Sequence, residues 1–390
     1  MKVWDVFWVF LRLGLTSFGG PIAHLGYFHE AFVVRRKWLA ESAYADLVAL
    51  CQFLPGPASS QVGIALGFSR AGYLGAFAAW LGFTLPSALL MMLFALSVAE
   101  FSDYLPAGAL HGLKVVAVAV VAQAIWGLGV KLCPDRQRLS LAVAASLWIS
   151  LWPTAGAQIA IVIAGGLCGL LLLRTQNPLP HTPFQVPTSH AVGLVFLSAF
   201  FALLLGLPWL AQSTGNPALR QLDSYYRVGS LVFGGGHVVL PLLKNEVVGP
   251  GWVSQSDFVA GYGAAQGIPG PLLSLSAYLG AVASVPPSGL WGGLLCLGAI
   301  FLPSFLLILG VLPFWEKLRQ HQSMRFAMSG INAVVVGLLI SAFYHPVWTS
   351  AILNARDFSL GLAAFALLVF WKAPSWLVVL LCAAIGAVAF

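Results

Sequence analysis

Long, uninterrupted apolar runs dominate the chain. They cover residues 71–98, 109–131, 139–153, 156–173, 190–212, 287–312, 325–345, 358–371 and 374–390. Most of them approach the ~20 residues that an α-helix needs to cross a hydrocarbon core. Strands of a membrane β-barrel would alternate apolar and polar residues, and these runs do not alternate. The pattern therefore predicts an all-α polytopic integral membrane protein, with tight helical hairpins at Pro153 and near Pro374.

Composition narrows the class further. Charged residues make up 8% of the 390 positions, against about 25% in soluble domains. This excludes a cytosolic enzyme, a secreted disulfide scaffold and a disordered protein. The net charge of +7 is scattered between apolar runs, as the positive-inside rule expects, and does not form a nucleic-acid-binding stripe. The five dispersed cysteines are predicted to be buried thiols, and Asp5 and Arg12 argue against a cleavable signal peptide.

The chain contains an internal repeat. RLGLTSFGG (12–20) aligns with RVGSLVFGG (227–235), QFLPGP (52–57) with QGIPGP (266–271), FTLPSALLM (83–91) with IFLPSFLLI (300–308), and GLK (112–114) with GIN (330–332). We therefore expect a first repeat at 1–174, a polar linker at 175–189, an extra transmembrane crossing at 190–212 and a second repeat at 213–390.

Loop charges indicate that the two repeats have opposite orientations. The loop at 99–108 is acidic, whereas its counterpart at 313–325 is mainly basic. Lys and Arg favour the cytoplasmic side of a membrane, so matching loops should lie on opposite sides. The run at 190–212 has no partner in the first half and would supply the inversion. Inverted repeats are typical of secondary transporters.

Pro-Gly-Pro occurs at matching positions in the two repeats, 55–57 and 269–271, inside apolar sequence. A continuous helix cannot pass through this tripeptide, so we expect broken or re-entrant helices. The half-helices that follow would direct their first N–H groups, which attract anions, at the break. Ser59, Ser60 and Ser274 would add hydroxyl donors. A plain proline kink is the alternative, and the sequence does not decide whether these regions cross the membrane or enter it and return.

Paired glycines and cations in apolar sequence add candidates. Arg12 and Arg227 each lie six residues before the phenylalanine of a Phe-Gly-Gly. A guanidinium fork matches a tetrahedral oxyanion, so we expect at least one of these arginines to bind the anion. Helix packing explains the glycines equally well, and snorkelling to the interface is the alternative for the arginines and for Lys114. The candidate substrate-binding residues are Arg12, Gly19, Gly20, Gln52, Pro55, Gly56, Pro57, Ser59, Ser60, Lys114, Arg227, Gly234, Gly235, Gln266, Pro269, Gly270, Pro271, Ser274 and Asn332.

The acidic residues do not require proton coupling. Glu41 and Asp46 precede the first Pro-Gly-Pro, but their counterparts are Gln255 and Ala260. The sequence contains no HExxH, Walker A or GxSxG motif and no Cys/His metal spacing. We therefore predict no metal, no cofactor and no enzymatic activity.

The FGGPIAH stretch at 18–24, the QxxPGP at 52–57 and their second copies at 233–236 and 266–271 resemble the chromate ion transporter family over nearly the whole chain. The chain is similar to the long, two-domain bacterial form, in which two homologous halves are fused in opposite orientation. The resemblance implies a multi-pass protein of the bacterial plasma (inner) membrane that exports chromate and gives chromate resistance. It also leaves sulfate open as an alternative substrate. Gly236 stands where Pro21 stands in the first copy, so equivalent half-sites are not expected.

The favoured interpretation is a secondary transporter that exports a tetrahedral oxyanion, with chromate as the first candidate. The membrane potential would drive it, and a contribution from protons stays open. The alternatives are a transporter or channel for sulfate or another anion, and an integral-membrane enzyme acting on an anionic lipid headgroup. The expected partners are the small inorganic oxyanion and the lipid bilayer. No nucleic acid is expected, and a homodimer stays open.

Overall fold

The computed structural model describes residues 2–18, 20–40, 43–44, 47–48, 50–51, 54–100, 107–152, 154–172, 189–232, 239–315 and 322–389. Within these ranges the chain is largely helical and forms no β-strand, in agreement with the predicted all-α class. The predicted linker at 175–189 lies outside the described residues except for Ser189.

The helices follow the predicted apolar runs closely. The first repeat contains α1 (Val3–Thr16), α2 (Gly20–His29) with a π-helical turn (Glu30–Arg35), α3 (Ala58–Glu100), α4 (Ala107–Leu132), α5 (Arg136–Leu151) and α6 (Ala155–Leu172). Between the repeats lies α7 (His190–Thr214). The second repeat contains α8 (Pro217–Leu231), α9 (Val239–Leu243) with a π-helical turn (Lys244–Val248), α10 (Gln255–Gln266), a 3₁₀ turn (Leu272–Ser274), α11 (Leu275–Ala281), α12 (Gly289–Val311) with a 3₁₀ turn (Leu312–Phe314), α13 (Gln322–Ala342) with a π-helical turn (Phe343–Trp348), α14 (Thr349–Ala351), α15 (Ala355–Val369) and α16 (Ser375–Ala389).

Four helical segments of the described chain are long and apolar enough to cross a membrane. They are Ala58–Ser97, Gly108–Gly127, His190–Thr214 and Gly289–Phe314. The first helices of the two repeats are shorter, with 14 residues in α1 and 15 in α8. These lengths correspond to about 21–23 Å, less than the roughly 30 Å of a hydrocarbon core. Each of these two helices is therefore shorter than the core is thick.

Each repeat contains a tight helical hairpin after its Pro-Gly-Pro. In the first repeat, α3 reverses at Ala71 and Gly72, where Gly72 has φ +62°. Its arms, residues 58–70 and 73–100, then touch: a Cβ on Gly67 would lie only 2.3 Å from the carbonyl oxygen of Gly75. The corresponding hairpin of the second repeat consists of α11 and α12, and its backbones approach as closely at Gly280 and Gly292.

The first helix of each repeat packs in the same way on the long helix of its own hairpin. A Cβ on Gly14 of α1 would lie 2.6 Å from the carbonyl oxygen of Phe83. At the aligned position of α8, a Cβ on Gly229 would lie 2.1 Å from the carbonyl oxygen of Ile300, which aligns with Phe83. The sequence repeat is therefore also a structural repeat.

The two repeats run in opposite directions. The ring of Trp80 in α3 contacts Phe301 and Phe305 of α12, with centroids 5.7 and 5.6 Å apart. Further along α3, Met92 approaches the earlier residue Gly293 of α12. Residue numbers thus rise in one helix as they fall in the other, so these equivalent helices are antiparallel. Inverted repeats, as predicted from loop charges, follow from this contact pattern.

The repeats are interlocked through their remaining helices. The backbone of α4 touches that of α16, where a Cβ on Gly112 would lie 2.1 Å from the carbonyl oxygen of Cys382. Reciprocally, the backbone of α13 touches that of α6, where a Cβ on Gly330 would lie 2.0 Å from the carbonyl oxygen of Gly165. Each repeat therefore lends a helical hairpin to the other repeat instead of folding as a separate body.

Polar side chains also link helices of one repeat to helices of the other. The imidazole of His111 on α4 lies 2.8 Å from the fully buried carboxylate of Asp357 on α15. In the equivalent place, Arg138 of α5 donates its Nε–H to Ser329 Oγ of α13 at 2.7 Å. The internal two-fold symmetry thus extends to side chains, while the residue types differ.

Helix α7 has no equivalent helix in the first repeat and lies at the edge of the bundle. Most of its surface is exposed apolar side chains, which suits contact with lipid. It is anchored by Tyr226 of α8, whose hydroxyl donates to the carbonyl oxygen of Phe200 at 2.9 Å.

Candidate functional site

The chain is non-helical at both Pro-Gly-Pro tripeptides, as the sequence predicted. Residues 54–57 separate the helical residues 50–51 from α3, and residues 267–271 separate α10 from the next 3₁₀ turn. The central glycines have φ +122° at Gly56 and φ +104° at Gly270. Residues that carry a side chain rarely adopt such φ angles, which explains the glycine at both positions.

Each break is tied to the opposite repeat by a backbone hydrogen bond. The N–H of Gly56 donates to the carbonyl oxygen of Val232 at 2.6 Å, and the N–H of Gly270 donates to that of Ser17 at 3.0 Å. Ser17 and Val232 are aligned residues that follow α1 and α8, directly before the Phe-Gly-Gly sequences. The two breaks therefore hold the ends of two equivalent short helices in a reciprocal manner.

The Leu-Pro-Ser segments of the long helices complete the same arrangement. A Cβ on Gly56 would lie 3.0 Å from Oγ of Ser304 in α12, and a Cβ on Gly270 would lie 2.8 Å from Oγ of Ser87 in α3. Ser87 and Ser304 are aligned residues. Ser87 lies near the middle of the second arm of α3, residues 73–100, and Ser304 near the middle of the candidate span Gly289–Phe314. Trp80 packs on Phe301 and Phe305 and so lies at the same height as Ser304. Ser87 comes seven residues after Trp80, about two helical turns, so Ser87 and Ser304 are separated by roughly 10 Å along the helix axis. Both breaks thus lie at the interface between the repeats, at mid-helix depth.

Buried polar side chains surround the first break. Ser59, Ser60 and Gln61 open α3 and are all at most 3% exposed. The side-chain amide of Gln61 donates to the carbonyl oxygen of Pro55 at 2.7 Å and so secures the turn. The hydroxyls of Ser60 and Ser304 have no hydrogen-bond partner although they are buried.

The second break is more apolar, and its serine is engaged within the turn. Leu272 and Leu273 stand where Ala58 and Ser59 stand in the first repeat. The hydroxyl of Ser274 donates to the carbonyl oxygen of Pro271 at 2.7 Å, and its N–H donates to the same oxygen at 3.0 Å. Ser274 is thus engaged within the turn. Before the turn, the side-chain Nε2 of Gln266 is buried without a partner.

Several polar residues at this interface were missed by the sequence interpretation. Ser17 and Thr84 are buried, and their hydroxyls have no partner. Their aligned residues are Val232 and Phe301, just as Leu275 aligns with Gln61. A comparison that keeps only residues shared by both repeats misses polar residues whose counterparts are apolar. Ser304 does have a polar counterpart in Ser87, but it served only to align the repeats.

The two arginines lie on α1 and α8, outside the Pro-Gly-Pro tripeptides themselves. Arg12 lies on the exposed face of α1, one turn after the exposed Trp8, which suits snorkelling better than anion binding. Arg227 is half-buried and pairs with two carboxylates, Asp223 one turn earlier on α8 and Glu246 on the π-helical turn. The Nε of Arg227 is buried without a partner, so these ion pairs engage only its terminal nitrogens. The role of an arginine in anion binding stays a prediction.

The predicted cation Lys114 is also engaged elsewhere. Its Nζ donates to Ser256 Oγ at 2.6 Å, at the start of α10, roughly 15 Å of helix away from the break that ends this helix. Its counterpart Asn332 lies on α13, where its side-chain oxygen is buried without a partner. Of the glycine pairs, Gly20 has φ +79° and begins α2. Gly19, Gly234, Gly235 and Gln52 lie outside the described residues.

No group of three or more His, Cys, Asp or Glu side chains within the described ranges is placed to hold a metal ion. The cysteines are free thiols, with Cys51, Cys296 and Cys382 buried. The polar chemistry of the interface is therefore that of hydroxyls, amides and backbone N–H groups.

An integral membrane protein whose antiparallel halves place broken helices at a shared interface has the architecture of a secondary transporter. Comparison with known proteins agrees. The chain belongs to the chromate transporter family, whose family model matches residues 4–170 and again 219–387. The chain is therefore a multi-pass membrane protein of a family that transports chromate and not of an enzyme family.

Curated relatives match over most of their length. A chromate transport protein of Pseudomonas aeruginosa is 28% identical over 85% of this chain and 77% of its own length. A probable chromate transport protein of Synechococcus elongatus is 26% identical over 97% and 93%. A chromate transport protein of Cupriavidus metallidurans is 25% identical over 98% and 92%. No solved structure matches the chain significantly.

Proposed function

We propose that the protein exports a tetrahedral oxyanion, chromate in the first place, from the cytoplasm by a carrier mechanism. The observation that carries this proposal is the reciprocal contact of the two breaks with the opposite, antiparallel repeat, in which Gly56 bonds to Val232 and Gly270 to Ser17. An inverted pair of halves around one interface can open to either side by exchanging equivalent contacts. The relatives named as chromate transport proteins supply the candidate substrate.

The membrane potential is sufficient to drive such export. Moving one charge through 100 mV yields about 2.3 kcal/mol, so a dianion leaving a negative-inside cell gains about 4.6 kcal/mol. At about 1.4 kcal/mol per tenfold, this sustains a concentration ratio above a thousandfold. Coupling to protons is not needed for a gradient of this size.

Transport can be tested with purified protein in liposomes under potassium diffusion potentials. We expect saturable chromate uptake when the interior is positive, with the final accumulation rising about tenfold for each additional 30 mV or so. The same assay with sulfate defines the range of dianions, and a pH gradient at zero potential reveals any proton coupling. Flux that grows linearly with chromate concentration would indicate a channel. If neither chromate nor sulfate is transported, the proposal is wrong.

The orientation of the protein gives a second test. We expect residues 99–108 to face outside and residues 313–325 to face the cytoplasm, because the first loop is acidic and the second is mainly basic. Residues 101–106 and 316–321 lie outside the described part of the chain. Single cysteines placed in each loop, in a variant without the five native cysteines, should react with an impermeant maleimide in intact cells only at the first loop. Equal labelling of both loops would contradict the assignment.

A further inference from the structure

The two breaks are equivalent by symmetry but differ in their free hydrogen-bonding groups. Ser60 and Ser274 are aligned, as are Ser304 and Ser87, and all four are buried. Ser274 donates to the carbonyl oxygen of Pro271, and Ser87 donates to that of Thr84 at 2.9 Å. The hydroxyls of Ser60 and Ser304 have no such partner. Of these four serines, the two with unpartnered hydroxyls belong to the first break. Near the second break, the unpartnered side-chain donors include Ser17, Thr84 and Gln266.

The local geometry places the hydroxyl of Ser304 at Gly56. A Cβ on Gly56 would lie 3.0 Å from Oγ of Ser304, which comes from the second repeat. Ser60 lies in the first turn of α3, directly after the Pro-Gly-Pro. The indole Nε1 of Trp80, whose ring packs on Phe301 and Phe305 beside Ser304, is buried without an acceptor as well. The first break is therefore followed directly by Ser60 of the first repeat and approached by Ser304 of the second.

The two breaks also differ in the number of backbone N–H groups that are free to bind an anion. In the first arm of α3, the N–H of Gln61 bonds to the carbonyl oxygen of Pro57 at 3.0 Å, so the N–H groups of residues 58–60 have no acceptor within the helix. At the second break the chain tightens into a 3₁₀ turn, and the N–H of Ser274 is already bonded. The helix that follows, α11, has only 7 residues. The first break thus offers the longer helix and more free N–H groups to an anion.

The cations expected to bind the anion are engaged or exposed. Arg227 pairs with Asp223 and Glu246, Lys114 donates to Ser256, and Arg12 lies on an exposed helix face. Hydroxyl and N–H donors form short, strong hydrogen bonds to a charged acceptor without any cation. A buried donor without a partner is costly, and a bound oxyanion would remove that cost.

We propose that the oxyanion binds at the first break, between the hydroxyls of Ser60 and Ser304 and the first N–H groups of α3, and that the aligned Ser274 and Ser87 of the second break do not bind it. This inference rests on the proposed transport function and assigns it to one break. Gln61 acts as a positioning residue, since its amide fixes the carbonyl oxygen of Pro55. Binding between Ser60 of one repeat and Ser304 of the other makes the anion bridge the two halves.

The internal repeat supplies matched controls for the test. Ser60→Ala and Ser304→Ala should each raise the KM for chromate about tenfold or more in liposomes, the usual effect of losing one hydrogen bond to a charged group. The aligned variants Ser274→Ala and Ser87→Ala should change KM by less than about threefold. Ser60→Thr, which keeps a hydroxyl, should retain most of the affinity.

Thermal stability without substrate separates binding from folding. Ser60→Ala and Ser304→Ala remove hydroxyls that have no partner, so their Tm should stay unchanged or rise. Ser274→Ala and Ser87→Ala remove satisfied hydrogen bonds, so their Tm should fall slightly. A structural role for Ser60 and Ser304 would reverse this pattern.

The outcomes distinguish this inference from the proposed function. If the wild-type protein transports chromate or sulfate and Ser60→Ala and Ser304→Ala keep its KM, the binding site lies elsewhere and only this inference fails. If all four variants lose affinity equally, both breaks bind and the one-sided assignment is wrong. If the wild-type protein moves neither anion, the proposed function and this inference fall together.

Discussion

Replacing Gly56 or Gly270 with alanine should destabilise the protein by about 2–6 kcal/mol and abolish most transport. Both glycines have φ values that favour glycine, +122° and +104°. An alanine Cβ would also lie 2.5 Å from Nε2 of Gln61 at the first position and 2.8 Å from Oγ of Ser87 at the second. Strain and overpacking each contribute about 1–3 kcal/mol. Thermal unfolding of purified protein and flux in liposomes measure the two effects.

Other glycines of the chain separate strain from crowding. Gly72 has φ +62° with no atom within 4 Å of a new Cβ, so Gly72→Ala should show the cost of strain alone. Gly206 lies inside α7 with open space and an ordinary helical backbone, so Gly206→Ala should be neutral or slightly stabilising. If Gly56→Ala loses no more stability than Gly206→Ala, the described geometry of the first break is wrong.

Local signals explain why much of the architecture was predictable. An apolar run at 287–312 predicts a helix because its length and composition suffice, and α12 occupies Gly289–Val311. Proline and glycine restrict the backbone wherever they stand, so the breaks at 55–57 and 269–271 were also visible in the sequence. The internal sequence repeat also showed which segments of the two halves are equivalent.

Contacts between distant segments were not predictable. Nothing in the sequence near Gly112 indicates that α4 packs against α16 rather than a helix of its own repeat. The same holds for the bond from Gly56 to Val232, which joins residues far apart in the chain. Such pairings depend on the whole arrangement of helices, which a single sequence does not reveal.

In the candidate site, too, some residues were predictable from the sequence and others were not. Pro55–Pro57 and Ser60 were identified because their pattern recurs, whereas Gln61 was missed because leucine replaces it in the second copy. The arginines were selected because both align with a Phe-Gly-Gly sequence, and their role in anion binding stays a prediction. Asp223 lies four residues before Arg227 and was available as a helix partner, but Glu246 reaches it only through the fold.

Replacing Arg227 with alanine should mainly destabilise the protein, and not merely weaken anion binding. The side chains of Asp223 and Glu246 are only 9% and 13% exposed, and both pair with Arg227. Removing one partner of a buried ion pair costs about 3–5 kcal/mol because the remaining charge is left uncompensated. We therefore expect a lower Tm and a lower yield of folded protein. Arg12→Ala, at an exposed position without a described ion pair, should leave both within the range of the wild type.

Neutralising the carboxylates distinguishes a structural arginine from an anion-binding one. If Arg227 serves to balance Asp223 and Glu246, combining Arg227→Met with Asp223→Asn and Glu246→Gln should restore most of the lost stability, because no buried charge then remains unpaired. Transport per mole of folded protein should recover with it, since the anion is held by Ser60 and Ser304. An anion-binding arginine predicts the reverse: Arg227→Ala would stay folded and lose affinity, and the triple variant would remain inactive at normal stability. The Tm and the KM for chromate of the wild type, Arg227→Ala and the triple variant decide between the two roles.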